Sequence, residues 1–84
     1  MNKLRAVANP VRIKLILCLS KNPKNVTSLI KVCALSQSAV SQHLAILKNA
    51  GIVSADKQGK EIIYRLKDFE AISIGRHLEK YIKS

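Results

Sequence analysis

Residues 35–53 restrict the possible folds of this chain more than any other stretch. Val40, Leu44 and Leu47 recur at helical spacing and predict a helix over residues 36–50 with one face in a core. The opposite face has no acid and comprises Gln37, Ser38, Ser41, Gln42, Ala45 and Lys48. A solvated helix face usually mixes Glu with Lys, whereas a helix that enters the major groove needs short amides and hydroxyls. We therefore interpret residues 36–50 as a candidate DNA recognition helix.

The flanking segments predict a helix-turn-helix followed by a β-hairpin. The predicted elements are a short helix over 3–8, a helix from Asn9-Pro10 that ends before Pro23, a helix over 26–34 capped by Asn25, the recognition helix between Ser36 and Gly51, strands over 52–57 and 61–66 around a turn at 57–60, and a last helix opened by Asp68 and closed by Lys80 and Lys83. The expected fold is mainly α with a small β-hairpin: one winged helix-turn-helix domain over residues 1–84, with about five helices and a two-stranded wing.

Most of the net positive charge lies in residues 1–55, which include the recognition helix and contain eight Lys or Arg and no acid. The net charge is +10, and the first acid is Asp56. A basic surface attracts polyanions and releases their counterions, so double-stranded DNA is the leading partner. A membrane surface is a second possibility, and simple solubility is the uninformative alternative. Because no stretch approaches the roughly 20 apolar residues of a membrane span and the first residues lack the features of a signal peptide, we expect a cytoplasmic protein without a membrane partner.

Residue chemistry assigns separate roles on this expected interface. Gln42 and Gln37 suit base contacts, and Ser38 and Ser41 suit either bases or phosphates. Lys48 suits phosphates. The wing residues 57–61, with Lys57, Gln58 and Lys60 and with Arg65 further down, suit phosphates or a minor groove. The wing lysines have the alternative role of protecting an edge strand from aggregation. His43 stands beside the core stripe, so a structural role and a phosphate contact are equally supported.

The last helix carries more apolar residues than a chain of 84 residues can easily bury as a monomer. These residues are Ile72, Ile74, Leu78, Tyr81 and Ile82. A glycine in the middle of a helix, such as Gly75, destabilises the helix by about 1 kcal/mol relative to Ala. Its presence suggests that another helix approaches closely there. The first and last helices together are therefore the candidate homodimer surface. Burial within the monomer is the alternative.

With these elements in order, nearly the whole chain resembles the ArsR/SmtB-type winged helix-turn-helix repressors. The resemblance is carried by residues 8–13, by the specific central block over 35–44 and 47–53, and by the wing over 59–66. It implies a homodimeric repressor that pairs through its first and last helices and binds a palindromic operator until a signal releases it. It also implies DNA contacts by Gln37, Ser38, Ser41 and Gln42, with backbone contacts from the wing.

The chain departs from this family at its usual signal-binding positions. Asn25 and Thr27 stand where many relatives have metal-binding cysteines. The positions of the zinc site on the last helix hold Asp68-Phe69-Glu70, Tyr81 and Ser84, which cannot supply four good zinc ligands. We therefore expect no metal and no cofactor.

The two cysteines, Cys18 and Cys33, occupy apolar helical patterns that indicate core positions. Some relatives sense oxidants or reactive sulfur through a cysteine pair, but the pair expected there joins the second and last helices, and the last helix here has no cysteine. A redox-responsive repressor that uses Cys18 and Cys33 stays as an alternative.

Two other classes of function are considered. An enzyme is disfavoured because neither a catalytic signature nor a glycine-rich phosphate loop is present. A winged-helix module that binds protein would be favoured by an apolar or acidic recognition face, and the predicted face is neither.

Overall fold

The computed structural model describes residues 2–82, apart from the side chain of Ile82. Within this range the elements are α1 (Lys3–Val7), α2 (Pro10–Lys21), β1 (Lys24–Asn25), α3 (Val26–Cys33), α4 (Gln37–Asn49), β2 (Val53–Gln58), β3 (Glu61–Leu66) and α5 (Glu70–Ile82). The mainly α fold with a hairpin is thus confirmed. Lys83 and Ser84, to which the sequence assigned a helix end and a site position, lie outside the described residues.

The helix boundaries follow local capping signals. The side chain of Asn9 accepts two backbone hydrogen bonds at the start of α2, and Asn25 accepts one from Ser28 N at 2.8 Å at the start of α3. Ser36 Oγ accepts from the backbone of Ala39 at 3.1 Å and so caps α4. Each such cap contributes about 1 kcal/mol to helix stability. These contacts confirm the three predicted N-caps.

The turn between α3 and α4 depends on a residue in the left-handed region. Ala34 has φ +53°, and its N–H donates to the carbonyl of Ile30. This conformation costs an alanine roughly 1 kcal/mol, because its Cβ approaches the following carbonyl oxygen. It reverses the chain within residues 34–36, which brings α4 against α3 as in a helix-turn-helix.

The sheet has three strands, whereas the sequence predicted two. β2 and β3 pair antiparallel from Val53↔Leu66 to Gln58↔Glu61, and β1 adds to the other side of β3 to give the order β1-β3-β2. β1 consists only of Lys24 and the helix cap Asn25. Two residues show no periodicity, so β1 has no signal in the sequence. The extra strand ties the start of α3 to the wing, and Asn25 Nδ2 donates to Glu61 at 3.1 Å.

The core lies between α2, α3, α4 and the sheet, with α1 and α5 closing one side. The fully buried large side chains are Ile13, Leu15, Ile16, Leu29, Leu44, Leu47, Ile52, Val7, Val40 and Val53. Each contributes on the order of 1.5–3 kcal/mol when it leaves water. In the described part of the chain, no helix is long and apolar enough to cross a membrane.

Helix α5 begins at Glu70, two residues after the predicted start at Asp68. The Asp68 carboxylate accepts a hydrogen bond from Glu70 N at 3.1 Å, and both acids pair with Lys3 Nζ at 2.7 Å. The hydrogen bond from Lys3 lowers the pKa of Asp68, and the same acids raise the pKa of Lys3. These ion pairs join the start of α1 to the start of α5.

The predicted close approach at Gly75 is present, and the helices that approach are α2 and the end of α1 of the same chain. A Cβ built on Gly75 would lie 3.4 Å from Ile13 Cγ2 and 3.8 Å from Val7 Cγ1. Gly75 therefore marks packing within the monomer and does not itself indicate a dimer contact.

Candidate nucleic-acid interface

The outward face of α4 is solvent-exposed along its length. The exposed residues are Gln37, Ser38, Ser41, Gln42, Ala45 and Lys48, the six that the helical period placed there. None is acidic, and short amides and hydroxyls can reach base edges without repulsion from phosphates. The face is chemically suited to the major groove.

The opposite face of α4 fixes the helix in the domain. Val40, Leu44 and Leu47 are each 0% exposed, and α4 packs against α1, α2, α3 and β2. A helix held on this many sides presents its polar face in one orientation. This orientation is what base contacts require, since a bidentate hydrogen bond tolerates little misplacement.

The wing carries its cations at its tip. Lys57, Gln58 and Lys60 are exposed, and the two-residue loop contains Gly59 with φ +63°. A glycine at the first loop position suits a II′ hairpin turn, whose twist matches that of the strands. Arg65 differs from the other cations, because its Nε donates to Asp56 Oδ2 at 2.9 Å. Lys57 and Lys60 are therefore the wing cations best placed for phosphates.

His43 lies on the inner flank of α4 and is half-buried. Its Nδ1 is 3.2 Å from Nη1 of Arg12, whose guanidinium donates, so Nδ1 must accept and the neutral ring carries its proton on Nε2. Burial, and then the charge of Arg12, lower the pKa of His43 below its ordinary value. The sequence left two roles open for His43, and this contact supports the structural one. A DNA contact by His43 stays a prediction.

Arg12 is the residue that sequence reasoning missed. It is 8% exposed, and its guanidinium donates to the carbonyls of Ala6 and Arg5 as well as facing His43. Helical periodicity marks position 12 only as a site between apolar neighbours. No signal in the sequence distinguished Arg12 from the other basic residues before Asp56. Once buried in a segment without acid, its guanidinium must find carbonyl or imidazole acceptors.

The cysteines differ in burial. Cys33 is 2% exposed, and burial followed by the neighbouring Cys18 raises the pKa of its thiol. Cys18 is half-buried beside Lys14, Lys21 and Lys24. A core position is thus confirmed for Cys33 and only partly for Cys18. Over the residues that the structure describes, no three His, Cys, Asp or Glu side chains come together as a metal site.

A second exposed surface lies on α1 and α5. Leu4 on α1 is 58% exposed, Phe69 just before α5 is 63% exposed and Tyr81 on α5 is 76% exposed. Ile72, Ile74 and Leu78 are half-buried. We call Leu4, Phe69 and Tyr81 the α1–α5 apolar patch. Exposed large apolar side chains of this kind suit a protein contact.

A short helix-helix turn, an exposed polar second helix and a basic hairpin define a winged helix-turn-helix domain. Residues 9–55 match the family described as "Bacterial regulatory protein, arsR family". The chain belongs to the arsR family, which confirms the resemblance found in the sequence.

Individual relatives agree with this membership. The chain is 46% identical over 65 residues to the HTH-type transcriptional repressor SmtB of Mycobacterium tuberculosis, a match covering 77% of this chain and 48% of that protein. Reduced HlyU from Vibrio cholerae superposes with TM-score 0.80 at 33% identity, covering 96% of this chain and 85% of that one. The transcriptional repressor BigR from Xylella fastidiosa superposes with TM-score 0.83 at 28% identity, covering 98% of this chain and 84% of that one.

The chain spans about half the length of the mycobacterial relatives that it matches. By their names these relatives are transcriptional regulators. These names agree with the predicted class of function.

Proposed function

We propose that this domain is the DNA-binding part of a homodimeric transcriptional repressor that binds a palindromic operator. The observation that carries the proposal is the exposed face of α4, which has amides, hydroxyls and one lysine but no acid. This face is displayed by a helix whose other side is fully buried. A DNA-binding regulator also fits a cytoplasmic location.

The proposed contacts follow from geometry and side-chain chemistry. Gln37 and Gln42 contact base edges, because a glutamine amide can bond adenine through both its donor and its acceptor. Ser38 and Ser41 contact bases or phosphates. Lys48, Lys57 and Lys60 contact phosphates, which sets register and affinity without selecting sequence.

Pairing of two copies is proposed through the α1–α5 apolar patch. Ile72, Ile74 and Leu78 on α5 are half-buried and so also keep apolar surface open to solvent. The core of a homodimer interface is richer in apolar area than the rest of a protein surface, and the exposed Leu4, Phe69 and Tyr81 meet this requirement. Repression is proposed as the direction of control because SmtB and BigR are named repressors.

The test is selection of bound duplexes from a random pool with purified protein. The expected result is two inverted half-sites whose centres lie about one helical turn apart, since a twofold dimer places its recognition helices in successive major grooves. The selected duplex placed over a promoter should then reduce transcription in a purified system. Enrichment of single half-sites would contradict the dimer, and enrichment of no sequence would contradict base recognition.

A further inference from the structure

Arg12 joins three helices at one point. It lies in the first turn of α2, its Nε donates to the carbonyl of Ala6, and its Nη2 lies 3.4 Å from the carbonyl of Arg5. Both carbonyls belong to α1. The third contact, from Nη1 to Nδ1 of His43 at 3.2 Å, reaches α4. The planar fork of an arginine can hold several acceptors in fixed directions, which a lysine cannot do.

The contact with α4 falls next to the side chains that face DNA. His43 directly follows Ser41 and Gln42 in the chain, and it shares the inner stripe of α4 with Val40 and Leu47. A change in how His43 packs therefore moves the backbone that carries the proposed base contacts. The buried Val40, Leu44 and Leu47 fix which face of α4 points outward. A directional hydrogen bond from a buried group further restrains the rotation and sliding of the helix.

We propose that Arg12 is a positioning residue for DNA binding, which holds α4 against α1 and α2 through the neutral imidazole of His43, and that protonation of His43 releases this hold. The inference rests on the proposed function. A protonated imidazole has two donors and no acceptor, so the bond from Arg12 is lost and two positive groups face each other.

The surroundings of His43 offer nothing to compensate that second charge. The elements that pack against α4 are α1, α2, α3 and β2. The charged residues on those four elements are Lys3, Arg5, Arg12, Lys14, Lys21, Lys31, Asp56 and Lys57. The single acid among them, Asp56, is paired with Arg65.

The expected pH dependence has a definite sign. Burial and Arg12 lower the pKa of His43, so the ring is neutral at pH 8 and reaches half protonation only below its ordinary pKa of 6.5. Operator affinity should therefore fall as pH falls from 7 to 5.5, by as much as about tenfold per pH unit, the limit for one linked proton. If His43 instead contacted a phosphate, protonation would strengthen binding, and the sign would be opposite.

The experiment measures affinity for the selected duplex by fluorescence anisotropy between pH 8 and 5.5 at constant ionic strength. The wild-type chain should lose affinity on acidification. His43→Gln should bind with a nearly level pH profile, because the amide oxygen still accepts from Arg12 and cannot be protonated in this range. His77→Gln, which removes the other imidazole, should keep the wild-type slope.

Two further measurements separate positioning from simple stability. Circular dichroism at each pH shows whether the chain stays folded, and imidazole ¹⁵N shifts should report the Nε2–H tautomer of His43 at pH 8. Arg12→Lys should weaken operator binding at pH 8 even where it folds, and should raise the pKa of His43, because its ammonium cannot reach α1 and the imidazole together.

The outcomes distinguish this inference from the function on which it rests. No preference for any duplex at pH 8 would remove the proposed function and the inference with it. Specific binding at pH 8 that stays level or tightens toward pH 5.5 would overturn the positioning role alone. An Nδ1–H tautomer of His43 would do the same.

Discussion

The surface of α4 and the surface of α1 with α5 differ in both charge and polarity. Along α4 the exposed side chains are amides, hydroxyls and a lysine, with no acid on the helix. At the other surface, Lys3 is neutralised by Asp68 and Glu70, and the α1–α5 apolar patch is open to solvent. An uncompensated positive field with adaptable donors suits a polyanion, whereas balanced charge beside apolar area suits another protein surface. The two faces of this small domain therefore suit different kinds of partner.

Disruption of the α1–α5 apolar patch should have the largest effect on DNA binding. Leu4→Glu should reduce affinity for the two-half-site duplex roughly a hundredfold, because two linked half-site contacts become independent. Binding to a single half-site should change little. Anisotropy on both duplexes and sedimentation of the free protein measure the effect.

Val32→Glu is the matched control, since Val32 on α3 is 54% exposed and lies outside the patch. It introduces the same charge at a similar exposure. Equal losses in the two variants would mean that added negative charge, and not dimerisation, weakens DNA binding.

The α4 face is tested by Gln42→Ala. Loss of a bidentate contact should cost about 1–3 kcal/mol on the selected duplex and flatten the preference at one position in each half-site. A repeated selection with the variant gives the preference directly. The same loss on random DNA would rule out base contact by Gln42.

The wing is tested by replacing Lys57 and Lys60 together with Ala. Affinity should fall about tenfold on every sequence, and the slope of log affinity against log salt should become shallower by about two, one for each phosphate contact. Lys67, which follows β3, and Lys80 on α5 are both exposed and lie outside the wing. Replacing these two lysines together with Ala gives the control with the same change in net charge. A salt slope that the wing variant leaves unaltered would place the wing away from DNA.

The smallest expected effect is that of Gly75→Ala, which tests whether Gly75 belongs to packing within the monomer or to the dimer contact. A Cβ on Gly75 would meet Ile13 at 3.4 Å, an ordinary contact. Gly75→Ala should therefore raise the free energy of unfolding by about 0.5–1 kcal/mol and leave operator affinity unchanged, because alanine favours the helix. Thermal and urea unfolding measure the gain. Lower stability would show that α2 cannot accommodate the methyl group, and weaker operator binding would place Gly75 in the dimer contact.

Local signals predicted most of this fold. Asn9, Asn25 and Ser36 cap the helices that the sequence assigned to them, and Gly51 has φ +77° just after α4. Such signals act within a few residues of the chain, so the sequence contains both the donor and the acceptor. The outward face of α4 followed from the same short-range periodicity.

The predictions that failed or stayed incomplete all depended on distant partners. β1 forms only because β3 offers it an edge, and Arg65 is engaged because Asp56 stands across the hairpin at 2.9 Å. Gly75 has its close neighbour in α2, some 60 residues earlier in the chain. A pattern within one segment does not predict which other segment will pack against it.

The sequence by itself determined which segments are helical, which face of α4 is free of acid and which part of the chain carries most of the net positive charge. These properties arise from spacing and composition within single segments. Only the tertiary structure decided that Arg12 is buried and that its guanidinium meets His43 across 31 positions of the chain. A buried cation must have acceptors, and only the packing of α1, α2 and α4 determines which acceptors lie within its reach.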